Sequence, residues 1–250
     1  MDGIFYTAMS GAKQTLDAQA VISNNLANVS TSGFRAQLTA MRAVPVQGDG
    51  PLATRVSVVT STPGDDFSAG TVTATERALD VAIHDDGWLA VQGDDGGEAY
   101  TRRGDLQLDG NGLLLSGGRP VLGGGGPIIV PLGAQLSIGA DGTLSAIGAG
   151  EDPDALVQID RLKLVRAEPG QLQRGEDGLF RPAPGSGLEL LPQDENLRLT
   201  AGALEGSNVS AIESMVAMIE NARRYDMQMK VITNADDNAQ RANSLLSIQG

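Results

Sequence analysis

From Ile4 to about Ala27 apolar residues recur at helical spacing. Ile4, Phe5, Ala8, Met9, Ala12, Leu16 and Ala20 share one face, with Ser10, Lys13, Gln14 and Asp17 opposite. The pattern predicts an amphipathic helix that ends in Asn24-Asn25-Leu26-Ala27-Asn28-Val29-Ser30-Thr31-Ser32-Gly33, where short polar side chains compete for backbone hydrogen bonds and favour turns. Helical spacing returns at Ser210, whose spacing to Glu213 suits a capping box, and no proline or glycine interrupts it before Gly250. That predicts a helix of roughly 38 residues, about 57 Å long at 1.5 Å per residue. It carries two apolar stripes. One runs Ile212, Val216, Ile219, Met227, Val231, Ala235, Ala242 and Leu245; the other runs Met218, Tyr225, Met229 and Ile232. Two seams on different faces imply at least two neighbours, and the first helix can cover only one of them. The plainer alternative is a helix buried inside one globule.

Between the helices the period changes. Residues 33–77 hold Pro45, Gly48, Gly50, Pro51, Pro63 and Gly64 around one alternating run, Arg55 to Thr60, which predicts a linker with a lone strand or hairpin arm. Its low apolar content predicts ordering only against a neighbouring surface. From Leu79 to about Thr200 the pattern is of period two, with Asp-Gly steps at Asp86-Gly87, Asp109-Gly110, Asp141-Gly142 and Asp177-Gly178. Val81-Ala82-Ile83 and Trp88 to Val91 read as one hairpin, and prolines spread from Pro120 to Pro184 block any long helix.

Composition narrows the function. A formal net charge of -13 makes binding to a phosphate backbone a poor fit, because that affinity comes from clustered Lys and Arg. The apolar runs are far shorter than the ~20 residues that span a bilayer, so no membrane insertion is expected. The start Met1-Asp2-Gly3 lacks the basic and apolar regions of a secretory signal, so export, if any, is expected to use another machine. With no cysteine there is no disulfide framework and no thiolate nucleophile.

No constellation of catalytic or cofactor-binding residues stands out, and no cofactor or metal is expected. The single histidine, His84, sits beside Asp85 and Asp86 and reads as a surface or strand-end residue. Asp109-x-Asn111-Gly112 resembles the opening of a calcium loop, but Pro120 occupies the position that needs a bidentate Glu. Gly123 to Gly126 is followed by Pro127, with no Lys-Ser or Lys-Thr, and reads as a turn. Glu151 and Asp152 are adjacent and so cannot flank one glycosidic bond from a strand. Asn28-Val29-Ser30 and Asn208-Val209-Ser210 fit the glycosylation triplet but lie at helix boundaries, where capping is the simpler role. The methionines at helical spacing, Met9, Met215, Met218, Met227 and Met229, read as packing.

Ala20 to Ala36, with its Asn24-Asn25-Leu26-Ala27-Asn28 core and Ser32-Gly33-Phe34-Arg35, resembles the N-terminal signature of the flagellar rod and hook proteins. Gly202 to Val209 resembles the segment before their C-terminal helix, and Asp80 to Ile83, Asp86-Gly87-Trp88 and Ala99 to Arg102 resemble their central domain. The resemblance covers nearly the whole chain. Within the family, Asn221 to Ile232 and Arg241 to Ile248 look like the proximal-rod members, with the distal-rod members as the alternative.

The fold expected is α+β, with long N- and C-terminal helices forming a coiled-coil-like polymerisation core around a mainly antiparallel β-rich middle. The expected divisions are 1–36, 37–78, 79–200 and 201–250. The resemblance implies a structural, non-enzymatic subunit of the basal-body rod, its terminal helices packed as an inner tube. It also implies export through the flagellar type III apparatus without a cleaved signal, and other rod subunits and further copies of itself as partners. Residues expected at the assembly interface are Ile4, Phe5, Met9, Leu16, Asn24, Asn25, Leu26, Asn28 and Phe34, together with Asn208, Ile212, Val216, Ile219, Tyr225, Met229, Ile232 and Leu245. The isolated termini are expected to be largely unfolded until assembly covers their apolar faces. A competing class, a β-rich adhesin with a helical stalk, would need one dominant seam.

Overall fold

The computed structural model describes residues 2–45, 56–148, 156–168 and 170–247. The prediction for Glu151, Asp152 and Pro153 lies outside them. Two compact units emerge, each built from separated stretches of chain: residues 1–28, 37–64 and 209–250 form a helical unit, and 29–36 with 65–208 form a β-rich one. The architecture is mixed α and antiparallel β, with one helix at each end of the chain.

In the helical unit, α1 spans Asp2–Ala27 and α2 spans Ala211–Ser247. The Asn-rich run stops α1 as its chemistry requires. The Asn28 amide donates to the carbonyls of Asn24 and Asn25, and its side-chain amide donates again to Asn24 O at 2.9 Å. At the start of α2, Ser210 Oγ accepts from the Glu213 amide at 3.3 Å. Two strands, β1 (Gln37–Pro45) and β2 (Val56–Asp65), pair with each other, so the alternating run after Arg55 is a hairpin arm.

The β-rich unit continues with β3 (Val72–Ala74), β4 (Val81–Ile83), β5 (Gly87–Gln92), β6 (Glu98–Thr101), β7 (Leu106–Leu108) and β8 (Leu114–Ser116), then further short strands to Ala203–Glu205. Its largest sheet has five strands in the order 164–166, β5, β6, 180–182, 172–174. β5 is buried on both faces. Leu89 and Val91 join a core with Leu106, Leu114, Leu144, Leu162 and Leu199, while Trp88 and Ala90 face a second with Tyr100, Val165, Phe180 and Leu191. Trp88 lies 4.7 Å from Phe180 and 5.8 Å from Phe67, between ring centroids.

Three of the Asp-Gly steps make the hairpins expected of them. Asp109, Asp141 and Asp177 each accept the backbone amide two residues on, at 2.8 to 3.1 Å, closing the turns between β7 and β8, between 135–138 and 143–147, and between 172–174 and 180–182. The fourth expectation is overturned. β4 and β5 are not a hairpin: β4 pairs with Leu199–Ala201, and β5 lies between β6 and 164–166. A turn does join them, with Gly87 N donating to His84 O at 3.2 Å. Both strands are apolar on two faces and lie in different sheets: β4 finds its partner far along the chain at 199–201, whereas β5 pairs with the next strand, β6, on one side and with the distant 164–166 on the other.

Candidate assembly surface and a buried junction

The two helices pack along a seam of small and polar residues. On α1 the buried positions are Ala8, Gly11, Ala12, Thr15 and Ala18; on α2 Asn221 is buried, and Ser214, Met218, Tyr225, Gln228, Ile232, Ala235, Ala239 and Ala242 are half-buried at alternating spacings of three and four. Asn221 Nδ2 donates to Thr15 O at 2.7 Å and to Gln19 Oε1 at 2.9 Å, so a buried amide fixes the register of the pair. A Cβ at Gly11 would stand 2.9 Å from Gln228 Nε2, which shows how closely the helices approach there.

This seam is rotated from the apolar face expected on α1. Ala8 and Ala12 are packed, but Phe5, Met9, Leu16 and Ala20 are exposed. On α2, Ile212 is 77% exposed, Val216 50% and Ile219 55%, and Met215, Met227 and Val231 are also exposed. Two distinct stripes therefore exist, with members exchanged: Met229 is exposed, whereas Ala235 and Ala242 belong to the packed seam with Tyr225 and Ile232. The side chains of Ile4 and Leu245 lie outside the described residues.

The Asn-rich residues named with the interface are engaged within the chain. Asn25 makes a reciprocal pair with Gln37, donating to its carbonyl and accepting from its amide, both at 2.9 Å. Asn24 is exposed, and Leu26 and Asn28 are half-buried. Phe34 lies under the Arg174 guanidinium, 4.7 Å from its ring centre. Asn208 caps no helix. Its Oδ1 accepts from Ala36 N at 2.7 Å, and its Nδ2 donates to Asp66 O at 2.8 Å and Ser68 O at 3.0 Å.

Inside the β-rich unit sits a group to which apolar periodicity gives no clue. Glu205, 2% exposed, accepts from Arg35 Nη2 at 2.7 Å through Oε1 and from Arg102 Nη2 at 2.6 Å through Oε2. Oε1 also accepts from the Gly70 amide at 2.9 Å. Burial pushes the Glu205 carboxyl up, but the Arg102 and Arg35 guanidiniums outweigh it and hold it below the ordinary glutamate range. Burial depresses Arg102, partly offset by Glu205. Arg174 continues the network to Asp65 at 2.8 Å and to the Arg35 carbonyl. A signal for Glu205 did exist: in Ala203-Leu204-Glu205 the alternation turns Ala203 and Glu205 to the same inward side, and an inward Glu needs cations.

Beside this network Arg35, Phe67, His84, Asp86, Trp88 and Glu205 help line a cavity of about 540 Å³. His84 Nε2 is 2.7 Å from Thr200 Oγ1, and no cluster of three metal-ligating side chains occurs among the described residues. No helix among them is long and apolar enough to cross a membrane.

Comparison with known proteins gives this geometry a context. Residues 5–35 match the family described as flagella basal body rod protein, 82–146 the flagellar hook protein FlgE/F/G D1 domain, and 200–245 the flagellar basal body rod FlgEFG protein C-terminal region. The chain is 53% identical to the flagellar basal-body rod protein FlgF of Salmonella typhimurium over 99% of its own length and 100% of that protein's. The chain belongs to the flagellar basal-body rod protein family. The FlgF protein of Escherichia coli K12 is also 53% identical over the same shares, whereas the rod protein FlgG of Bacillus subtilis is 32% identical over 93% of this chain and 94% of its own. The margin puts the chain with FlgF within the family.

Proposed function

We propose that this chain, a structural subunit of the proximal rod, assembles through the apolar stripes its two helices leave uncovered. The observation that carries the reading is Ile212-Val216-Ile219, which stays exposed after α2 has given its other face to α1. A helix pair with a second apolar stripe on each member suits a coiled-coil-like polymer core in which every subunit touches several neighbours and the close-packed tube transmits torque. The subunit acts without catalysis or cofactor. It is exported through the flagellar type III apparatus without a cleaved signal and joins other rod subunits and further copies of itself. Relatives named as basal-body rod proteins over their full length support this.

The absence of cysteine supplies the test. Val216→Cys paired with Phe5→Cys or Met9→Cys, expressed in a cell lacking the wild-type chain, should give intersubunit cross-links in isolated basal bodies under mild oxidation. Asp17→Cys, exposed on α1 to the side of the Met9–Leu16 stripe, serves as the control. Efficient cross-linking at Asp17→Cys with none at the apolar stripes would refute the assignment.

A further inference from the structure

The chain passes between its two units at four places, after residues 28, 36, 64 and 208. Within the β-rich unit the stretches bordering those places, 29–36, 65–70 and 205–208, are bonded to one another. Gly33 N donates to Glu205 O at 2.8 Å, Asn208 N to Phe34 O at 3.3 Å and Asp66 N to Ala36 O at 2.8 Å. Two side chains bind across all three. The Asn208 amide holds Ala36, Asp66 and Ser68, and the Glu205 carboxylate holds Arg35, Gly70 and Arg102.

Arg102 then reaches the carbonyls of Ile83, Asp85 and Gly87, and so ties the group to β4 and β5 in the core. The backbones are in near contact as well. A Cβ at Gly33 would stand 2.3 Å from the Arg102 carbonyl, and one at Gly70 2.1 Å from Gly206 O. Such a group has little room to yield, and a pull on any one stretch is shared by the others.

We propose that Asn208 and Glu205 form a clamp that gathers the four chain crossings, and that force carried by the terminal helices enters the β-rich unit through it. This rests on the reading of the chain as a torque-transmitting rod subunit. Covalent continuity alone would deliver force to separate stretches of chain, each able to peel away from the unit by itself. Joined side by side, the stretches must break together. Asn208 is a positioning residue for this role: it is half-buried and its side-chain bonds to Ala36, Asp66 and Ser68 all lie within the β-rich unit, so removing it should leave the exposed helical stripes unaltered.

The test uses the full chain carrying Asn208→Ala. Asn208→Asp serves as a second variant, since it keeps the acceptor for Ala36 but sets an oxygen against two carbonyls. Asn111→Ala, in an exposed turn, is the control. With the purified protein, protease cleavage within 29–36, 65–70 or 205–208 should rise roughly tenfold or more for both Asn208 variants, as expected when about three hydrogen bonds that restrain opening are lost. Global unfolding followed by the single tryptophan, Trp88, should shift by no more than that same factor, because the lost bonds weaken the folded state against local and global opening alike. In a strain lacking the chain, the variants should restore rods and swimming in dilute medium but fail at a lower viscosity than wild type or Asn111→Ala. Unchanged cleavage, a larger shift of the Trp88 transition, or normal swimming at every viscosity would overturn the clamp. If the wild-type chain itself fails to restore rods, the rod reading falls and takes the force-bearing role with it, while the cleavage result still reports on the bonded junction.

Discussion

Replacing Ile212, Val216 and Ile219 together by serine should abolish assembly while leaving the isolated chain as stable as before. Fully burying one such side chain is worth about 2 kcal/mol. Scaled by exposures of 77%, 50% and 55%, covering the stripe in a polymer would contribute about 1 to 1.5 kcal/mol per residue and about 3.5 kcal/mol per subunit. The loss weakens each contact on the order of 300-fold, at a factor of ten per 1.4 kcal/mol. The monomer should scarcely respond, because these side chains already face water and serine is close to isoleucine in helix propensity. The assay pairs thermal unfolding of the purified variant with electron microscopy of basal bodies from a complemented strain. Two results would refute the reasoning: rods of normal yield, or a monomer that melts well below wild type. The second would mean that the stripe is packed within the subunit.

Two further predictions concern the buried junction. Glu205→Gln removes the charge that holds Arg35 and Arg102, at a cost of about 3 to 5 kcal/mol near neutral pH, read as a shift in the urea midpoint. Because the folded carboxyl lies below the ordinary glutamate range, its stabilisation is fully present above that range and is lost as the pH falls through the folded value. The gap between variant and wild type should therefore narrow in acid, and a constant gap would contradict the ion-pair account. Gly33→Ala should prevent the β-rich unit from folding, since φ is +66° and backbone atoms fill the Cβ site, whereas Gly11→Ala should leave the unfolding temperature unchanged or slightly raised. At Gly11 the blocking atoms are the free end of Gln228, and alanine favours the helix by about 1 kcal/mol.

The long-period features were legible and the long-range ones were not. The run Asn24 to Gly33 marked the end of α1, Ser210 the start of α2, and Asp141-Gly142 and Asp177-Gly178 their hairpins, because each depends on hydrogen bonds within a few residues. The β4–β5 pairing was misread because an Asp-Gly step between apolar runs signals a turn but says nothing about which strands will flank it. The face of α1 was displaced for a different reason. Hydrophobicity identifies what avoids water, whereas Gly11, Ala8 and Thr15 are chosen for close approach and an amide contact with Asn221, a choice that leaves almost no apolar signal. Glu205, Arg35 and Arg102 lie far apart in sequence, so only the inward position of Glu205 could have flagged them.

That division of labour on the helices bears on how the subunit avoids polymerising early. A chain built for its own stability would bury Leu16, Met9, Ile212 and Ile219 in the intramolecular seam and leave alanine outside; this one does the reverse. Its helix pair is held mostly by small residues and one buried amide, so the pair gains little burial on its own and rests near the margin at which isolated helices fray. In dilute solution the purified chain should show less helicity than the 26 and 37 residues of α1 and α2 require, and a protease should trim it to the β-rich unit. Raising the concentration until it polymerises should restore both helicity and resistance. A dilute monomer that is fully helical and uncut would show that the small-residue seam suffices by itself, and the coupling of helix formation to assembly would then have to be abandoned.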